Sequence, residues 1–119
     1  MINLNRKLGR VNIDLKANYV GKDLIIVVSG GDVPHVGAIS YGGEGFQNKD
    51  FEKNTIVYGN HKEYIISQRF SQRIGDIFKG NYMISVGIHL ENITGEEIKI
   101  VIKLSEELLE EIISIIKGE

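Results

Sequence analysis

Residues 11–19 alternate strictly between apolar and polar side chains, and no other feature constrains the fold as strongly. The odd positions carry Val, Ile, Leu, Ala and Tyr, whereas the even positions carry Asn, Asp, Lys and Asn. Because successive side chains of a strand point to opposite faces, this segment predicts a strand with one buried face. A Gly-Lys-Asp turn at residues 21–23 leads into a continuous apolar run at residues 24–28. The run predicts a more deeply buried strand, and the two segments together predict an antiparallel hairpin.

The rest of the chain supplies further strand patterns. Residues 36–41 and 81–90 have the alternation and the β-branched content of strands, and residues 55–58 are long enough for a short strand. Residues 42–54 form a polar, Gly-rich loop. The hairpin is therefore expected to be part of a larger sheet.

Residues 61–79 predict the first helix. Large apolar side chains recur there at a spacing of four, which places them on one helix face. Asn60 and Glu63 stand at the spacing of a capping box, and Gly80 follows as a C-terminal stop signal. We therefore expect the helix to begin at His61.

The segment after Thr94 admits two interpretations. Thr94 and Glu97 form a second capping box, and most apolar residues beyond them fit one helical stripe. The even positions of residues 97–104 are all apolar and are mostly separated by charged residues, which is typical of a strand. We prefer one helix over about residues 95–117, because it accounts for more residues and uses the cap. The alternative is a strand at 97–104 followed by a helix capped by Ser105.

The order of these elements predicts one α+β domain over residues 1–119, with a mostly antiparallel sheet and two helices packed on one face. A chain of this length can bury a core without disulfides. Ile100, Leu104 and Ile115 lie off the main stripe of the second helix. Because a helix packed on a sheet buries a single stripe, this apolar excess predicts a homodimer.

Composition excludes several functional classes. The formal net charge is -2 and the 14 Lys and Arg residues are spread along the chain, so no basic face for nucleic acid is expected. The absence of Cys excludes a disulfide framework, a thiolate metal site and a cysteine nucleophile. No apolar stretch is long enough for a membrane span, and the first residues lack a signal-peptide pattern. We expect a cytoplasmic protein with no membrane partner.

The chain has three histidines, and each lies at the end of a predicted element. His35 follows the second strand, His61 begins the first helix, and His89 lies at the end of the last strand. Since strand ends and helix starts often meet along one edge of a small sheet, we expect the imidazoles to converge on one face. There they can shuttle protons, bind a metal ion or donate to an anion. No pair of histidines has the spacing of a helical metal site, so the sequence does not indicate whether a metal ion is bound. The simplest alternative is that each imidazole forms a hydrogen bond with loop backbone.

Two other features are compatible with phosphate binding. The Gly-Gly-Asp sequence at residues 30–32 can form a nest of backbone N–H groups, or a turn whose glycines adopt positive φ. Arg69 and Arg73 lie one turn apart on the first helix and can clamp a phosphate. A solvated arginine pair bonded to Asp76 is the simpler interpretation.

Three stretches around the histidines resemble one protein family. They are GGDVPHVGAIS, the helix start GNHKE, and SVGIHLENITGEEI. In these stretches the chain resembles the LpdD-like prenylated-flavin chaperones, which are small accessory proteins of hydroxyarylic acid (gallate-type) decarboxylases. The resemblance covers roughly residues 11–110, and GGDxPHxG and GIHxxNxTxEE are its most specific parts. The positions carried over are Gly30, Gly31, Asp32, Pro34, His35, Gly37, His61, Gly87, His89, Asn92 and Thr94.

The resemblance implies both a fold and a function. The family's fold is similar to that of the third proteasome-assembly chaperone, an α+β fold. The implied function is that of a helper, not an enzyme, which supports loading or maturation of prenylated FMN in a UbiD-like hydroxyarylic acid decarboxylase. The implied cofactor is prenylated FMN or FMN, bound transiently. The residues expected to bind it are Gly30, Gly31, Asp32, His35, His61 and His89, together with Arg69, which is included as a phosphate-binding cation and not on the resemblance.

Two other functions stay open. A small enzyme acting on an aromatic acid would use His35, His61 and His89 as metal ligands or acid–base groups. A ligand-free assembly module would need only the fold and a partner surface. Turnover by the purified chain alone would favour the enzyme, whereas rescue of a decarboxylase without such turnover would favour the chaperone.

Overall fold

The computed structural model describes residues 1–46, 54–59 and 62–119. Within these residues the chain forms six strands and two helices. In chain order they are β1 (Ile2–Leu8), β2 (Val11–Val20), β3 (Asp23–Gly31), β4 (Ala38–Gly42), β5 (Thr55–Val57), α1 (Tyr64–Ile77), β6 (Tyr82–His89) and α2 (Gly95–Lys117).

The strands form one sheet in the order β1-β2-β3-β6-β4-β5. Every neighbouring pair is antiparallel except β3 and β6, which run parallel. The predicted hairpin of β2 and β3 is confirmed. Because β3 and β6 are parallel, their carboxyl ends lie at the same edge, with Gly31 opposite His89. β4 begins near this edge, since Ala38 lies opposite Val86.

Both helices cover the same face of the sheet, and the core lies between them and the strands. In β2, the odd residues from Val11 to Ala17 are buried while the even ones are exposed. α1 packs on β4, β5 and β6, α2 packs on β1 and β2, and the two helices contact each other. The predicted α+β class, with a mostly antiparallel sheet and two helices, is confirmed.

Hydroxyl groups fix α1 on the sheet. The Ser40 and Ser67 hydroxyl oxygens lie 2.8 Å apart, and the Tyr82 hydroxyl donates to the Ser71 carbonyl oxygen at 2.9 Å. Because buried hydroxyl groups need hydrogen-bond partners, these contacts restrict how α1 can slide or rotate. The start of α1, preceded by Glu63, is therefore held in a defined position relative to the sheet.

The structure contains a strand that the sequence analysis did not predict. β1 pairs with the outer side of β2 along Ile2–Leu8. Ile2 and Leu4 pack against the core, whereas the alternating Asn3 and Asn5 are exposed. Asn is depleted in strands, so the alternation in this segment is a weak signal. An edge strand pairs on one side only and needs few apolar residues.

α1 spans Tyr64–Ile77 and is shorter than the predicted helix over residues 61–79. The predicted cap residue Asn60 lies outside the described residues, and Glu63 occupies the N-cap position. At the other end, Phe78 adopts extended backbone, with φ -113° and ψ 128°. The apolar spacing continues through Phe78, so spacing alone did not reveal where the helix ends.

α2 spans Gly95–Lys117 as one helix, so the strand alternative for residues 97–104 is wrong. The Thr94 hydroxyl accepts the Glu97 N–H at 3.1 Å, and the Glu97 carboxylate accepts the Thr94 N–H at 3.0 Å. The predicted capping box is therefore confirmed. No helix in the described part of the chain combines the length and apolar character that crossing a membrane requires.

The apolar excess on α2 is smaller than the sequence indicates. Leu104 is buried in the core, and Ile100 packs against it. α2 contacts α1 as well as the sheet, so it buries a wider face than a helix that packs on a sheet alone. The exposed large apolar residues of α2 are Ile98 and Ile102. The homodimer stays a prediction, but the apolar residues of α2 no longer provide the argument for it.

We expect Leu108→Ala to destabilise the protein by about 2–5 kcal/mol, because Leu108 is 0% exposed and its truncation leaves a cavity. The control is Ile102→Ala on the same helix, where the side chain is 52% exposed and the loss should be about 0.5 kcal/mol or less. Urea unfolding measures both free energies. Equal losses would contradict the described packing of α2.

Candidate functional site

The end of β3, the end of β6, the start of β4 and the starts of both helices meet at one edge of the sheet. Residues 32–37 leave β3, cross β6 and enter β4, and the Gly37 N–H donates to the Val86 carbonyl oxygen at 3.0 Å on the way. We call the surface formed by residues 32–37, residues 89–94 and Glu63 the histidine edge.

Two glycines allow backbone segments to approach each other closely at the histidine edge. A β-carbon on Gly87 would occupy the place of the His35 carbonyl group. Gly31 has a φ of 77°, and a β-carbon there would collide with the His89 carbonyl group. The His35 backbone therefore approaches β6 closely at Gly87.

His35 is held by groups on both sides of its ring. Its Nδ1 lies 2.9 Å from the Val33 carbonyl oxygen. Since a carbonyl oxygen only accepts, Nδ1 carries a proton and donates it there. Its Nε2 lies 3.1 Å from Oε1 of Glu63. The Val33 carbonyl therefore fixes the ring orientation and directs Nε2 towards the carboxyl group.

Glu63 is one of two residues at the histidine edge whose contacts sequence reasoning missed. The sequence assigned it to a helix cap, but its side chain is only 8% exposed and its carboxyl group lies beside His35. The carboxyl group also fills the space where a β-carbon on Gly37 would sit, with a contact of 2.7 Å to that position. Gly37 therefore leaves room for Glu63, and the short sequence HKE gave no sign of this contact.

The predicted convergence of the histidines is confirmed for His35 and His89. Their ring centroids are 6.4 Å apart, with 76° between the ring planes. His89 Nε2 also lies 3.3 Å from a carboxylate oxygen of Glu91. His61 lies outside the described residues. Among the residues that are described, no group of three or more His, Asp or Glu side chains is placed to hold a metal ion.

The Gly-Gly-Asp turn holds the end of β6. The N–H groups of Asp32 and Val33 approach the His89 carbonyl oxygen at 2.7 and 3.4 Å, and the Asp32 carboxylate accepts the Glu91 N–H at 3.1 Å. These amide groups have acceptors within the protein, so the turn interpretation accounts for them better than a phosphate nest. Cofactor binding by Gly30, Gly31 and Asp32 is therefore expected to be indirect, through the placement of His35 and His89.

Arg10 ties the histidine edge to α2, and sequence reasoning also missed it. Its Nε lies 2.6 Å from the Glu97 carboxylate, its Nη2 donates to the Glu91 carbonyl oxygen at 2.6 Å, and its Nη1 lies 3.4 Å from Asp32. The hydrogen bond from Arg10, followed by that from the Thr94 N–H, lowers the pKa of the Glu97 carboxyl to about 2. The same contact with Glu97 raises the pKa of Arg10.

Arg69 joins the two helices. Its Nε lies 2.7 Å from the Glu106 carboxylate, and Arg73 pairs in the same way with Glu110. The partners are thus on α2 rather than at Asp76. Because Arg69 connects α1 to α2 and is not one of the residues of the histidine edge, it is a weaker candidate for cofactor binding than the two histidines.

An apolar groove of about 390 Å³ opens beside the histidine edge, between the first turns of α1 and α2. Glu63 is shared between the groove and the histidine edge. The other groove-lining residues are Lys62, Ile65, Ile66, Ile88, Ile93, Ile98, Val101 and Ile102. A smaller cavity of about 280 Å³ lies at the opposite end of the sheet, beside Gly42 and Tyr82.

Comparison with known proteins assigns the chain to the family that the three histidine-containing stretches of its sequence resemble. Residues 7–117 match the family described as the prenylated flavin chaperone LpdD-like domain. Protein LpdD from Lactiplantibacillus plantarum is 32% identical over 100 residues, which covers 80% of this chain and 70% of that protein.

We expect Gly87→Ala to displace the His35 loop and to cost about 1–3 kcal/mol, because the added methyl group overlaps the His35 carbonyl. Gly95→Ala is the matched control, since a β-carbon on Gly95 meets no atom within 4 Å. Urea unfolding measures stability, and imidazole NMR signals report the histidines. Unchanged His35 and His89 signals in Gly87→Ala would contradict the described crossing.

The Arg10–Glu97 contact should make stability depend on pH. The folded pKa of Glu97, about 2, lies below its usual value of 4.5, so its contribution is present above pH 4.5 and is lost as pH falls towards 2. The stability difference between the parent and Glu97→Gln should therefore be full at neutral pH and vanish in acid. Glu96→Gln, which removes a charge beside Lys99 on the same turn, is the control and should have a smaller effect. A difference that is the same at pH 6 and pH 2 would contradict the pairing.

Proposed function

Because the chain belongs to the LpdD-like family of prenylated flavin chaperones, we propose that it is a cytoplasmic accessory protein that binds prenylated FMN and passes it to a UbiD-like hydroxyarylic acid decarboxylase. In this proposal the histidine edge is the flavin-binding surface. The observation that carries the assignment is the 6.4 Å approach of His35 and His89 beside the buried Glu63 carboxyl.

The chemistry of the histidine edge suits this ligand. FMN has a phosphate group and a ring system edged with hydrogen-bond donors and acceptors, and imidazole N–H groups can donate to either part. Lys62 is one of the residues that line the adjoining groove, and its positive charge can attract the phosphate. Backbone donors of residues 32 and 33 hold β6, so the side chains make the ligand contacts.

The openness of the histidine edge favours transfer over catalysis. His89 remains partly exposed in the folded chain, and the neighbouring groove opens to solvent. An enzyme usually excludes water from its reacting groups, whereas a carrier has to release its ligand to a partner. A surface site meets the second requirement without a large conformational change.

A second candidate function has one observation in its favour. The His35–Glu63 pair places an imidazole nitrogen 3.1 Å from a buried carboxyl oxygen, a distance at which the two groups can exchange a proton. A small histidine-dependent enzyme acting on an aromatic acid would use this pair. The ligand-free assembly module is a third possibility, and it leaves the contacts at the histidine edge without a function.

The predicted homodimer finds a better basis on the open face of the sheet than on α2. Val27, Met83 and Ile56 are exposed there, and Ile39 and Tyr41 lie on the same face of β4. Antiparallel sheets commonly expose one face, but such a face is normally polar, as it is in β2. We therefore propose that a second copy of the chain covers this apolar strip.

We expect His89→Ala and His35→Ala to remain folded and to lose support of a decarboxylase. Each imidazole hydrogen bond to a charged group is worth about 1.5–3 kcal/mol, so binding of prenylated FMN should weaken roughly 10- to 100-fold. The assay is co-expression with a UbiD-like hydroxyarylic acid decarboxylase, followed by measurement of decarboxylation and of bound prenylated flavin.

Arg69→Ala is the control, because Arg69 pairs with Glu106 and should have at most a mild effect on transfer. Rescue by both histidine variants at the level of the parent would show that the imidazoles are structural. Turnover of an aromatic acid by the chain alone would favour the enzyme. Failure of the parent to support any such decarboxylase would contradict the proposed function itself.

A further inference from the structure

The groove beside the histidine edge is lined almost entirely by branched aliphatic side chains. Ile65, Ile93, Ile98 and Ile102 form its exposed walls. Single exposed apolar residues are ordinary, but four isoleucines around one depression form a contiguous apolar surface. Such a surface gains free energy from any apolar group that covers it.

The groove has a fixed floor. Ile66 and Ile88 pack against the core, and Val101 is part of the core itself. Its volume of about 390 Å³ lies within the range of about 300–1,000 Å³ that is usual for small-molecule sites. A ligand can therefore enter without rearranging the helices, which reduces the entropic cost of binding.

One residue makes the groove continuous with the histidine edge. Glu63 lines the groove, and its carboxyl group lies 3.1 Å from His35 Nε2. Ile88 in the groove floor is followed directly by His89 at the histidine edge. An apolar compartment and a polar compartment thus share one boundary, as an amphiphilic ligand requires.

We propose that this groove holds the branched hydrocarbon of prenylated FMN while the histidine edge holds the polar part of the same molecule. This role rests on the proposed function and deepens it, because the groove then selects the prenylated flavin against FMN. A small hydrocarbon fits the all-aliphatic lining and the charged boundary at Glu63 better than a protein segment. An anchoring helix or loop would be expected to place aromatic residues against a longer surface.

The expected selectivity follows from the apolar area that the hydrocarbon removes from water. Burial of a group about the size of a valine or leucine side chain should tighten binding roughly 10- to 100-fold for prenylated FMN relative to FMN. The polar contacts at the histidine edge are the same for both flavins. His89→Ala should therefore weaken both by the same factor and leave their ratio unchanged.

The test measures dissociation constants of the full-length chain for prenylated FMN and FMN by anaerobic titration. The groove variants are Ile98→Gln and Ile102→Gln, which replace the apolar end of the side chain by an amide and do not lower helix propensity. Leu8→Gln at the end of β1 is the matched control, because Leu8 and Ile98 are both 47% exposed and Leu8 belongs neither to the groove nor to the apolar strip of the open sheet face. Unfolding midpoints verify that each variant folds.

In support, both groove variants should lose most of the preference for prenylated FMN while their affinity for FMN stays constant, and Leu8→Gln should behave as the parent. If both groove variants keep the full preference for prenylated FMN over FMN, the groove assignment is wrong and the proposed function is unaffected. If the groove variants bind both flavins as the parent does but no longer rescue the decarboxylase, the groove binds the partner protein. That result also overturns the groove assignment. If the parent binds neither flavin, the proposed function fails together with the groove assignment.

Discussion

The parallel pairing of β3 with β6 is the constraint on which the rest of the structure depends. All other neighbours in the sheet are antiparallel, and antiparallel neighbours place strand ends and strand starts side by side. Only a parallel pair brings two carboxyl ends together, and here it sets Gly31 opposite His89. Two histidines that are far apart in the chain thereby become neighbours. Without this pairing the sheet could form, but the two imidazoles would lie at different edges.

The histidine edge depends on a division of roles among its polar groups. Backbone amides, the Asp32 carboxylate and Arg10 bond to one another and hold the loops in place. His89, in contrast, is partly exposed with its Nε2 beside the Glu91 carboxylate, and the more enclosed His35 ring lies 6.4 Å from it. Since a structural contact is already satisfied within the fold, it offers little to a ligand. The side chains that remain accessible carry the proposed recognition of the flavin.

Sequence patterns succeeded where a local rule was sufficient. The alternation in β2, the apolar run in β3 and the Thr94–Glu97 capping box each depend on residues within a few positions of one another. The sequence failed at β1, where Asn obscured an edge strand, and at the end of α1, where Phe78 keeps the apolar spacing but leaves the helix. It also misjudged Leu104, because the contact of α2 with α1 widens the buried face.

The amino-acid sequence by itself determined most of the elements of this protein, the family to which it belongs and the histidines as candidate ligands, because each depends on residue types at short spacing. Only the tertiary structure decided which of these residues act together. Glu63 changed from an expected cap into the carboxyl partner of His35, and Arg10 was found to join β1–β2 to α2. Gly37 leaves room for the Glu63 carboxyl, and Gly87 leaves room for the His35 carbonyl, because neither residue has a side chain there. The physical reason is that such contacts join residues that are distant in the sequence. Strand pairing and helix packing set their geometry, and a local sequence pattern contains no information on either.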